Sequence, residues 1–199
     1  MPITTTTKLQ AVNTMLATIG SAPVNTLSGS NSADVTMAVQ VLDEVSLNVQ
    51  SKGWHFNTEY GVVLTADPIT SEIVVASNVM LVDPEPEDSI GIDVVLRGTR
   101  LYDRKNRTYA FTKPVTAKVI WALEWEDLPQ AAKNYLMIRA SRIFQDRVVG
   151  SEKHHAFTER DELIALAGLR NYEGETADHS IFDNYSVYRV IDRPYPYRF

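Results

Sequence analysis

Gln50-Ser51-Lys52-Gly53-Trp54-His55-Phe56 is the stretch at which the chain changes its period. Before it, Val35, Ala38, Leu42, Val45 and Val49 recur three and four residues apart, which lines them along one stripe of a helix. Gly53 can adopt the left-handed backbone that closes such a helix without a Cβ clash. After it, Trp54 and Phe56 alternate with His55 and Asn57, and this period of two predicts a strand with one buried face. Gly53, Trp54 and Phe56 are therefore the expected joint between a helical region and a β-rich one.

Upstream of the joint, Thr7 and Gln10 have the spacing of a capping box. Leu9, Val12, Leu16 and Ile19 follow as one apolar stripe that Gly20 stops. Pro23 forces a loop with Val24 and Leu27 turned inward, and Ser28 to Ser32 connects to the second helix, capped by Ser32 or Asp34. Downstream, short runs rich in β-branched and aromatic residues predict strands at 60–65, 73–75, 79–82, 94–97, 100–102, 109–111 and 115–120. Asp83 to Asp88 contains Pro84 and Pro86, which break strand pairing, and its acids favour water; it lacks the glycine and terminal glutamate of a calcium loop.

From Trp121 the helical period returns. Pro129 suits a first helical position after Asp127, and Ala132, Leu136, Ala140, Ile143 and Phe144 form a buried stripe with Lys133, Arg139, Arg142 and Arg147 outside it. Gly150 ends that helix. Ser151 caps a last one with Phe157, Ile164 and Ala167 inward and Glu159 to Glu162 outward. The expected fold is α+β: a four-helix bundle from residues 1–53 and 121–171, an antiparallel β domain inserted at 54–120, and an extended C-terminal arm at 172–199. That arm interleaves Tyr185, Tyr188, Tyr195, Tyr197 and Phe199 with Arg189, Arg193 and Arg198, the residue types enriched where proteins meet, so it reads as a docking arm.

Composition narrows the function. The 199 residues are 44% hydrophobic and 22% charged, a globular mix. With no cysteine, disulfides, thiolate metal sites and a cysteine nucleophile are excluded. Met1 to Thr7 has neither a basic region nor an apolar run, and no stretch suits a bilayer span, so a soluble chain without a secretory signal or membrane insertion is expected. A net charge of −6 argues against a general nucleic-acid binder. The templates for P-loop, Rossmann, zincin and α/β-hydrolase chemistry are missing, and adjacent His154 and His155 diverge on a helix, so no metal, cofactor or catalytic residue is assigned. His55 reads as a surface or packed histidine. Glu124 and Glu126, if placed on a strand, would share a face about 7 Å apart, which leaves a glycoside-hydrolysing or carbohydrate-binding protein as the alternative.

Ala11-Val12-Asn13 with Leu16-Ala17-Thr18-Ile19-Gly20, then Pro23-Val24, Leu27, the linker from Asn31 to Ala38, and Ser51-Lys52-Gly53-Trp54-His55-Phe56-Asn57 resemble the tail tubular protein A family of short-tailed phages. The likeness resumes at Leu101-Tyr102-Asp103-Arg104, Glu126-Asp127-Leu128-Pro129, Ala140-Ser141-Arg142 with Phe144, and Arg147 to Gly150. The resemblance implies a non-enzymatic head-to-tail adaptor: a dodecameric ring in the virion tail, assembled in the host cytoplasm. Its implied partners are the portal protein, the tail nozzle protein (tail tubular protein B) and a tail fibre protein, with double-stranded DNA passing non-specifically through the lumen.

Overall fold

The computed structural model describes residues 4–28, 32–86, 91–150 and 152–176. The chain is α+β, with four helices and two small antiparallel sheets. Helices α1 (Lys8–Thr18) and α2 (Ala33–Gln50) precede strands β1 (Thr58–Leu64), β2 (Val79–Pro84), β3 (Val94–Arg97), β4 (Arg100–Asp103) and β5 (Val115–Trp121). Helices α3 (Gln130–Val148) and α4 (Glu152–Thr176) follow.

Local chemistry sets the first half of the helical part. The Thr7–Gln10 capping box is formed, with Gln10 N–H donating to Thr7 Oγ1 at 3.2 Å and Thr7 N–H to Gln10 Oε1 at 2.9 Å. In α2 the whole predicted stripe is buried. Ser32 is its N-cap residue, while Asp34 instead accepts from Ser21 Oγ at 2.8 Å and ties the inter-helix loop down. In α3, Ala132, Leu136, Ala140 and Phe144 are buried as expected. Pro129 sits one position earlier than predicted, as the N-cap, and Asp127 lies in a 3-10 turn, Trp125–Asp127. Buried side chains from all four helices, together with Trp125 and Leu128, form one apolar cluster.

A second cluster lies under the sheets, built from Ile73, Val79, Val82, Val94, Leu101, Phe111 and the alternate residues Val115, Ala117 and Val119 of β5. β5 is the central strand of the order β1-β5-β2, and β3 pairs with β4. The runs at 73–75 and 109–111 do not become strands. They make single bridges, Glu72 with Ala110 and Val74 with Arg100, the first run entered from a turn in which the Asp67 carboxylate accepts from the Ile69 and Thr70 N–H groups. Pro84 does lie in a strand, against expectation: β2 is an edge, where a missing donor faces no partner.

Four other expectations fail. The predicted strand at Trp54–Asn57 is a 3-10 turn over His55–Asn57, because Asn57 reaches back to accept from Trp54 N–H at 2.9 Å. The last helix is rotated: Ile164 is 62% exposed and Ala167 faces out, whereas Ala165 and Leu169 are buried and Glu162, predicted wet, is 9% exposed. The cause lies on α3. Arg139 and Arg142, predicted outside the stripe, both reach Glu162, Arg139 Nη1 to Oε1 at 3.0 Å and Arg142 Nε to Oε2. Two guanidiniums gripping one carboxylate outweigh the apolar preference of one isoleucine, since a buried charge left unpaired costs more than an exposed side chain. Lys133 is likewise inside, 1% exposed, its Nζ donating to the Glu126 carbonyl at 3.1 Å. Helix α4 also runs on to Thr176, so residues 172–176 belong to it and not to the arm. The Ser151 cap and the side chains of His154, His155 and Phe157 lie outside the described residues.

Candidate functional site

The chain crosses between its helical and β parts twice, once from α2 to β1 and once from β5 to α3, and both crossings meet at the quoted stretch. Gly53 takes φ +72°, which any other L-residue resists, and a Cβ there would stand 2.6 Å from Cδ1 of buried Ile120 on β5. The two passes are stitched by buried amides. Gln50, 1% exposed, accepts from Leu123 N–H at 2.7 Å and donates to Leu123 C=O at 3.1 Å and Ser46 Oγ at 2.9 Å. Asn57, 2% exposed, donates to Gln50 C=O at 2.9 Å and Trp121 C=O at 2.7 Å. These carbonyls and amides lie where neither helix nor sheet can satisfy them, and side-chain amides carry both donors and acceptors. Trp54 Nε1 donates to Val49 C=O at 2.8 Å, and its ring stacks on Phe56 with centroids 6.5 Å apart. The end of α4 closes the joint: Glu173 Oε2 accepts the His55 N–H at 2.6 Å.

The β3–β4 hairpin carries the most unusual surface. Residues 97–113 hold Arg97, Arg100, Arg104, Lys105, Arg107 and Lys113 against one acid, Asp103, in a chain of net charge −6. Arg97 and Arg100 are direct cross-strand partners, an arrangement that like charges disfavour. Stacking holds them apart: the Arg97 guanidinium lies 3.7 Å above the Tyr102 ring and that of Arg100 4.6 Å above Tyr109, while the two tyrosines pack 4.8 Å apart. Arg100 also pairs with Glu72 at 3.2 Å. The result is an Arg-Tyr-Tyr-Arg row with flat, pre-ordered cations, whose residue types are those of interface anchors.

Asp103 organises the loop at the other end of this hairpin. Burial would push its carboxyl up, but donors from the Asn106 side chain at 2.6 Å and from the Asn106, Asp93 and Lys105 N–H groups outweigh that and hold it below the usual carboxylate range. A depressed carboxyl stabilises fully above the unfolded value, about 3.9, and that contribution is lost as pH falls through the folded one. We therefore expect the stability gap between the native chain and Asp103→Asn to stay constant from pH 7 to 5 and to narrow below pH about 4. Urea midpoints across that range check it.

Helices α1 and α4 both lie on α3 but leave between them an apolar groove of about 580 Å³, floored by Ala131, Ile138, Ala165 and Leu169, rimmed by Ile164 and ending at Asp161. Among the described residues no group of three or more His, Cys, Asp and Glu is placed to hold a metal, and no helix is long and apolar enough to cross a membrane.

Of the predicted site residues, Gly53, Trp54 and Phe56 come together at the joint. Tyr185, Tyr188, Arg189, Arg193, Tyr195, Tyr197, Arg198 and Phe199 lie outside the described residues. Glu124 and Glu126 are exposed, but the strand geometry required of them is replaced by the 3-10 turn at Trp125–Asp127. Sequence reasoning passed over the roles of Gln50 and Asn57, whose partners at Trp121 and Leu123 lie more than sixty residues away. It also passed over the Arg-Tyr row, which the crowding of cations after residue 96 announces. Among curated proteins none matches the chain. A family model described as Tail tubular protein matches residues 9–179, a span that includes the joint, the hairpin and the groove. The chain belongs to the tail tubular protein family, and its role is a structural one in the phage tail.

Proposed function

We propose that this chain is the adaptor subunit that joins portal to tail nozzle, repeated as a dodecameric ring through which double-stranded DNA passes. On this reading the helical part, residues 1–53 and 121–171, faces the portal, and the β part, residues 54–120, faces the nozzle and fibres. The observation that carries it is the joint: two parts with separate apolar cores are locked by buried amides across both crossings, as a rigid coupler between unlike partners requires. The Arg-Tyr row supplies the β part with a pre-ordered surface for a protein partner, and the acidic balance of the whole chain repels DNA phosphates so that the genome slides without sticking. The arm, with Arg189, Arg193 and the tyrosines around them, anchors on the portal or on an adjacent subunit after assembly from a host-cytoplasmic pool. Bond-making chemistry has no part in this function.

The test is reconstitution with purified portal and nozzle proteins. The native chain should form rings on the portal and then retain the nozzle protein. Arg97→Ala with Tyr109→Ala should keep portal binding and lose at least about tenfold in nozzle affinity, since two stacked interface anchors are removed. A chain that binds neither component under any order of addition would sink the reading.

A further inference from the structure

We propose that in the free subunit the groove between α1, α3 and α4 is filled by residues 177–199 of the same chain. The groove exists because the Glu162 pairing with Arg139 and Arg142 fixes the rotation of α4 and so turns Ile164, 62% exposed, and Leu163, 63% exposed, away from the core. Of the two, Ile164 lines the groove, and an apolar side chain left at the rim of an apolar groove gains from being covered. Asn134 on α3 supplies a polar edge for a bound backbone, and the Thr14 and Thr18 hydroxyls on α1, which donate to Gln10 C=O and Met15 C=O, remain able to accept from it.

The occupant is argued from reach, composition and tethering. Helix α4 ends at Thr176, two turns beyond Leu169 at one end of the groove, and Asp161 marks the other end. From Thr176 back to Asp161 is roughly 22 Å at the helical rise. The chain beyond Thr176 spans up to roughly 75 Å when extended, more than three times that distance. About seven extended residues cover that distance, so after a few that reverse direction, the chain near Arg189 arrives opposite Asp161, and a cation meets the carboxylate. Ten of the nineteen residues from Ile181 to Phe199 are Ile, Val, Phe or Tyr, enough to cover an apolar floor. A segment tied to the rim competes at an effective concentration on the order of millimolar, which favours it over a second copy at micromolar concentration.

The chain has no cysteine, so introduced thiols report cleanly. Ile164→Cys is placed in the full chain and in a chain ending at Thr176, with Val63→Cys, 62% exposed on β1, as the reference in both. The Ile164→Cys thiol should react with a maleimide at least about tenfold faster in the shortened chain, with the Val63→Cys rate unchanged. Equal Ile164→Cys rates in the two chains would overturn the proposal. As a second measurement, Ile164→Cys combined in turn with Tyr185→Cys, Tyr188→Cys or Ile191→Cys should oxidise within one chain and run as a monomer on non-reducing gels. Linkage only between chains would assign the groove to a second copy and overturn it equally. Neither readout involves portal or nozzle, so failure of the adaptor reading and failure of this one are told apart.

Discussion

Gly53→Ala is expected to destabilise the protein by about 2–3 kcal/mol. A residue with a Cβ held at φ +72° costs about 1–2 kcal/mol, and the clash with Ile120 adds about 1 kcal/mol of repacking. Ile120 Cδ1 is the tip of a flexible side chain, so it can yield. Its Cγ1 at 3.3 Å and Thr58 Oγ1 at 3.3 Å leave little room on either side. For a chain of this size the melting temperature should fall by roughly 5–10 °C. The loss should appear as a lowered urea midpoint with an unchanged slope, because the surface exposed on unfolding is the same. A melting temperature within about one degree of the native value would mean that the left-handed turn is not what seats α2 against β5.

Gln50→Leu should cost about 3 kcal/mol although leucine nearly matches the volume. Replacement strips Leu123 of the partner for both its N–H and its C=O, and each buried backbone group left unpaired costs about 1–3 kcal/mol. The Ser46 hydroxyl loses a donor as well. The effect should be local before it is global: amide exchange at Leu123 should accelerate more than exchange in the middle of α3. In the adaptor reading the same variant should retain portal affinity but transmit it poorly, since the two crossings would no longer move as one. If stability and Leu123 exchange both match the native chain, the amide clamp is ornamental.

Much of the fold was legible because much of it is local. The Thr7–Gln10 box spans three residues, the α2 stripe repeats every three or four, and Gly53 answers a steric rule that needs only its own backbone. The hairpin at Arg97-Gly98-Thr99-Arg100 was legible too, Gly98 taking the positive φ that a two-residue turn demands. The face of α4 was not. Apolar periodicity placed Ile164 inward, and nothing within one helical turn of Glu162 reveals that Arg139 and Arg142, twenty and more residues earlier, will claim it. The turn at Trp54–Asn57 misled for the same reason. Alternation of aromatics predicts a strand only while the intervening polar residue points to water, and Asn57 points inward.

Periodicity, caps and the glycine at residue 53 settle which segments are helix and where the helical part gives way to the β-rich one, since those choices are decided by sterics and burial over a few residues. Which way α4 faces, and how the two crossings are joined, depends on buried charges and carbonyls finding partners up to 73 residues away. Such groups cost free energy until they are paired, and only the assembled chain brings their partners within reach.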